Sequence, residues 1–241
     1  MSDLVRATSA PVLEGRVFPM TVFVSDPSTP WDVHEKWRML GLERQSEAWI
    51  MSQASRYRVP LAFLEGGVYG YDVDLHPTHM PSWGADGSTC RTWPDDIVRV
   101  FGWESGRHLL EHLLSQTRAD AVHMTVFVNS GGRSFAMPAG LYDRKWYLGT
   151  SFVYHRWMDG SVQATPCMVA HEILHLYGAW DLYETGCVTR EQADAATVWF
   201  PNDVMRWVGD IGRLEIGPLT AWRVGWASQA EPWYEWFRPG C

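Results

Sequence analysis

Two histidines four positions apart, His171 and His175, bracket Glu172 and are followed by Gly178 and Asp181. On a helix, side chains at i and i+4 share a face, so the two imidazoles can converge on one metal ion. Glu172, slightly round the cylinder from His171, can hold a water at the metal without ligating it. Gly178 falls where a residue without Cβ can take a left-handed backbone and stop the helix. The chain can then turn back and offer Asp181 as a third ligand. Two imidazoles and one carboxylate leave a coordination position open, the arrangement of a catalytic rather than a structural zinc.

Projected at about 100° per residue, His171, Glu172 and His175 occupy one narrow stripe of the helix. Val169, Ala170, Ile173, Leu174, Leu176 and Tyr177 cover most of the remaining circumference. A helix apolar almost all round should be buried. Two histidines and a glutamate buried together are costly unless something coordinates or hydrogen-bonds them.

A second pattern, His108, Glu111 and His112, has the inverted HxxEH order of another zinc protease group. Here Leu109, Leu110, Leu113 and Leu114 form one apolar face, and His108, Glu111, His112 and Ser115 the other. That is an ordinary surface helix with a solvated side, so the inverted motif is expected to do no chemistry.

The elements that must carry the first motif can be read along the chain. Residues 1–17 look like an irregular tail. Phe18–Val24 reads as a strand, Asp32 to about Arg58 as a long helix, and Leu61–Leu64 and Val68–Val73 as short strands. His76–Pro94 is rich in glycine, proline and serine and reads as a loop. A helix is expected over Trp103–Gln116, and the best strand over Val122–Val128, ended by Asn129-Ser130-Gly131-Gly132. Phe135–Ala139 and Thr150–His155 are further strands. Pro138 suits an edge strand, which lacks the need for that N–H. The helix with the zinc motif should start near Thr165-Pro166. After residue 178 the pattern is loop, with one helix around Leu219–Ala227.

The 241 residues are 46% hydrophobic and 20% charged, enough for a real core in one large domain or two lobes flanking a cleft. Net charge is −8 and the 20 Lys+Arg residues form no basic runs, so nucleic acid is not an expected partner. No apolar stretch suits a signal peptide or a membrane span. The expected location is therefore cytoplasmic, or exported without a visible leader, and no membrane partner is expected. Cys167 and Cys187 flank the motif and could form a disulfide or remain thiols, and Cys90 reads as a loop thiol.

The signature HExxHxxGxxD with a downstream methionine in Pro201-Asn202-Asp203-Val204-Met205 resembles the metzincin clan of zinc endopeptidases, most closely its snapalysin type. The resemblance covers roughly residues 165–206. It implies His171, His175 and Asp181 as zinc ligands, Glu172 as general base and Met205 as the floor of the site. It also implies an α+β fold: a twisted mixed sheet with helices in an upper lobe (about 18–178), and a small irregular lower lobe with a C-terminal helix (about 179–241). The active-site cleft lies between them, and residues 18–241 form one catalytic domain. Arg206-Trp207 follow the methionine where this clan often has a tyrosine, and Tyr183 is a nearby alternative. Thermolysin-like enzymes take a later glutamate as third ligand, so Glu191, and less so Glu184, competes with Asp181.

The function implied is zinc-dependent hydrolysis of peptide bonds in a protein or peptide substrate, by water activated between the ion and Glu172. The alternative is a non-catalytic, zinc-stabilised protein-binding module.

Overall fold

In a computed structural model describing residues 12–82, 92–139 and 148–240, the first β-branched run becomes the strand β1 (Gly15–Val24). It is followed by α1 (Val33–Arg56), β2 (Leu61–Phe63), β3 (Gly67–Tyr69), α2 (Trp93–Val100) and α3 (Gly106–Thr117). Then come β4 (Ala121–Gly131), β5 (Phe135–Met137), β6 (Gly149–Arg156), α4 (Pro166–Leu176), α5 (Arg190–Trp199) and α6 (Pro218–Arg223). Six strands form one sheet in the order β2-β1-β4-β6-β5, with β3 also pairing to β1. Every pairing is parallel except β5 with β6, so β5 is an antiparallel edge. Among the described residues this mixed sheet with six α-helices agrees with the expected α+β class.

Parallel strands joined by crossovers must be covered on both faces, and β4 is buried over nearly its whole length. Met20, Val22, Met124, Val126 and Phe152 face a core completed by α2 and α3. Phe23, Phe127 and Val153 face the other core, with α1 and α4. On that second face one row is polar. Thr21 pairs with Thr125, and Thr125 with Ser151, so three hydroxyl residues cross the sheet side by side. Glu43 of α1 lies over this row and accepts a 2.5 Å hydrogen bond from Thr21 Oγ1.

Several boundaries differ from the sequence expectation. The tail does not extend to residue 17. Leu13 is fully buried, its N–H donates to the Val224 carbonyl, and its carbonyl accepts from Trp226 Nε1. Residues 1–11 lie outside the described residues. The helix α5 was not expected, and α6 stops at Arg223. Residues after 178 share one core with α1 and α4, through Leu182, Val204, Ile216, Trp222 and Phe237. Cys167 is a buried free thiol whereas Cys187 is disulfide-bonded, so the two are not joined to each other. Cys90 and Cys241 lie outside the described residues. No helix among the described residues is long and apolar enough to cross a membrane.

Candidate metal centre and its cleft

The helix α4 is bounded by local chemistry at both ends. Thr165 caps it, its side chain accepting from the Met168 N–H, and Pro166 occupies the first turn where no donor is needed. At the other end Gly178 has φ 97°, Gly178 N–H donates to His175 O, and Ala179 N–H donates to Leu174 O. These paired bonds are a Schellman turn. A Cβ at Gly178 would strain that backbone. The turn brings the Ala179 carbonyl back onto His175, 2.9 Å from Nδ1. It also sends the chain on to Asp181.

Three ligand atoms meet there. His171 Nε2 and His175 Nε2 are 3.1 Å apart, and each is 3.2 Å from Asp181 Oδ1. His171 Nδ1 faces the Val204 carbonyl at 3.1 Å. A carbonyl can only accept, so both Nδ1 atoms carry the proton and both Nε2 lone pairs point inward. Three acceptors with nothing to share repel one another unless a proton or a cation sits among them. Ligands about 2.0–2.1 Å from a tetrahedral zinc stand roughly 3.3 Å from each other, close to the spacing here. The donor set also suits zinc, a borderline ion taking imidazole and carboxylate. The residues therefore fit the ion.

Electrostatics say the same from another direction. Burial disfavours a charged His175, but the Asp181 carboxylate, its hydrogen bond and Glu172 outweigh burial and push the imidazole up to about 9. Burial likewise opposes a charged Asp181, yet the two histidines hold it well below the usual carboxylate range. The cluster attracts positive charge to its centre.

Glu172 is buried and its Oε2 has no hydrogen-bond partner among the described residues. Burial raises its pKa, with Asp181 adding to the effect and His171, His175 and Arg133 opposing it. With His171 it lines a cavity of about 300 Å³, whose walls include Trp157, Met168, Trp207 and Val208. Arg133, Ser134, Tyr183 and Arg206 complete the lining. Ser134 immediately precedes the edge strand β5, so the chain enters that strand from the cavity wall. The Arg206 guanidinium is engaged by the Pro201 carbonyl and Thr197 Oγ1.

The residues expected from sequence separate cleanly. His171, His175 and Asp181 are the one group of three or more His, Cys, Asp or Glu residues spaced for a metal among the described residues. Glu191, in the first turn of α5, and Glu184 are both exposed and lie outside it. Met205 is buried; its N–H donates to Asp203 Oδ1 and its carbonyl accepts from the Leu182 N–H. The segment 203–205 thus touches the chain at Leu182, beside Asp181, and, through Val204, at His171. In α3, Leu109 and Leu113 are buried while His108, Glu111 and His112 are exposed, with Glu111 paired to Arg107. Arg133 was missed by sequence reasoning, which took Gly131-Gly132 only as a turn. No family model matches the chain, and no curated protein matches it significantly.

Proposed function

We propose that the chain is a zinc-dependent metalloendopeptidase of metzincin type, in which His171, His175 and Asp181 hold one ion and Glu172 is the general base. The observation that carries this reading is the convergence of three inward lone pairs within 3.2 Å of one another beside a buried glutamate with an oxygen that has no partner among the described residues. Zinc, when bound, acts as a Lewis acid on the scissile carbonyl and makes nearby water more acidic. Glu172 takes the proton of the attacking water and returns it to the leaving amine. Tyr183, in the cavity wall beside His171, donates to the carbonyl oxygen as that oxygen gains charge. An extended substrate pairs with the β5 edge, and the cavity between Trp157, Met168, Trp207 and Val208 receives a bulky apolar side chain next to the cut bond.

The test compares the wild type with Glu172→Ala on unfolded casein and on a mixed-sequence peptide library, with metal content measured in both. The variant should retain one zinc per chain and lose at least about 1,000-fold in kcat. The library products should show an apolar residue beside the cut. An active Glu172→Ala protein would sink the assignment. A wild type that binds zinc, cuts nothing and unfolds on chelation would support the non-catalytic binding module instead.

A further inference from the structure

The chain between β4 and β5 is held unusually firmly for a short connection over a cleft. Gly132 N–H donates to the Arg156 carbonyl at 3.0 Å, and Ser134 Oγ accepts from the Tyr154 N–H at 3.2 Å. Both neighbours of Arg133 are therefore tied to β6. Gly132 must be glycine, because a Cβ there would run into the Tyr154 ring. The Tyr154 hydroxyl is itself bonded to the Pro81 carbonyl, so the ring has little freedom to yield. From this fixed backbone the Arg133 guanidinium reaches across the cleft and donates to Tyr183 Oη at 3.2 Å. The Tyr183 ring lies 6.0 Å from that of His171, and both side chains line the cavity with Glu172.

A guanidinium has no acceptor, so in this bond the phenol oxygen must accept. The Tyr183 proton is left over, and among the described residues no group accepts it. A phenol that accepts from a cation is polarised into a stronger donor. We propose that Arg133 is a positioning residue: it fixes the Tyr183 hydroxyl and directs its proton to the substrate oxygen that gains charge during hydrolysis. The role rests on the peptidase reading above. No proton is transferred in it; the phenol keeps its hydrogen and releases the oxygen when the tetrahedral species collapses.

The test is a double-mutant cycle with Arg133→Met, Tyr183→Phe and the combined variant, each checked for zinc content and thermal melting. Tyr183→Phe should lower kcat by on the order of 100-fold with KM nearly unchanged. Arg133→Met should lower kcat by roughly tenfold, again at unchanged KM, and the double variant should be no worse than Tyr183→Phe alone. Arg133→Lys, which keeps the charge without the planar fork, should recover part of the loss. In a second readout, a peptide phosphinate mimicking the tetrahedral species should bind Arg133→Met more weakly by the same factor as the loss in kcat/KM. A product peptide should bind both proteins equally. Multiplicative losses in the double variant, or a change in KM alone, would overturn the positioning role while leaving the peptidase intact. A wild type that neither cleaves peptides nor binds the phosphinate would overturn both. If Arg133→Met is unfolded, Arg133→Lys decides instead: kcat and phosphinate affinity equal to wild type would refute the role, and a loss of both at unchanged melting would support it.

Discussion

An imidazole whose Nδ1 faces a carbonyl has its tautomer decided before any ligand arrives. For His171 and His175 the carbonyls of Val204 and Ala179 make that decision, and the cost of ordering the rings is met by the fold. The third position can be tested directly. Asp181→Ala should weaken zinc binding by at least on the order of 100-fold in competition with a chromophoric chelator. Glu191→Ala should leave affinity unchanged; the opposite pair of results would make Glu191 the ligand. At this scale much was legible, because His171, Glu172, His175, Gly178 and Asp181 lie within a few helical turns and their spacing is fixed by local geometry. Glu191 could be set aside only with coordinates, since its exposure depends on where α5 docks. Arg133 was not legible at all. Its partner Tyr183 is 50 residues away in the chain, and no local period links them.

The α1 helix matters beyond its apolar contacts, because it sets Glu43 on the hydroxyl row of Thr21, Thr125 and Ser151, with Glu47 one turn on. Burial pushes Glu43 up to about 7, against the hydrogen bonds from Thr21 and Thr125 and the charge of Arg44. Burial, and then the nearby Glu43, pushes Glu47 up to about 8. Both folded values exceed the ordinary 4.5, so folding favours the protonated forms. Their stabilising contribution is complete below about pH 4.5 and is lost as pH rises through 7 to 8. Urea unfolding should therefore give a lower midpoint at pH 9 than at pH 6, and Glu43→Gln should shrink the difference. Equal midpoints in the wild type would refute it. The extent of α1 was readable from its apolar spacing and the Asp32 cap, which forms a capping box with Glu35. α5 was not, because Val198 and Trp199 at its end are exposed and its apolar stripe is thin. The Thr189 and Gln192 capping box was its one local signal.

For the molecule as a whole, the proposed ligand triad joins α4 to a C-terminal region that shares its core. Zinc bound at about 1,000 times its dissociation constant adds ~4 kcal/mol to the folded state, so chelation should lower Tm by roughly 8–16 °C in a scanning melt. A His171→Ala, His175→Ala double variant should show no such shift; an equal shift would place the stabilising ion elsewhere. The expected division at residue 178 was drawn from the loss of a regular sequence pattern, yet α5 and α6 lie beyond it. It missed that Leu13 at one end and Phe237 near the other pack into the same interior, since such long-range closure leaves no periodic mark. The Val204 carbonyl that orients His171, and the Met205 carbonyl that accepts from Leu182, belong to a stretch that the ribosome adds after both histidines. Until that stretch is made and docks, His171 lacks the carbonyl that aims it while His175 is already aimed by Ala179, so a chain ending before residue 204 would carry the full HExxH sequence and still be a poorer trap for an ion.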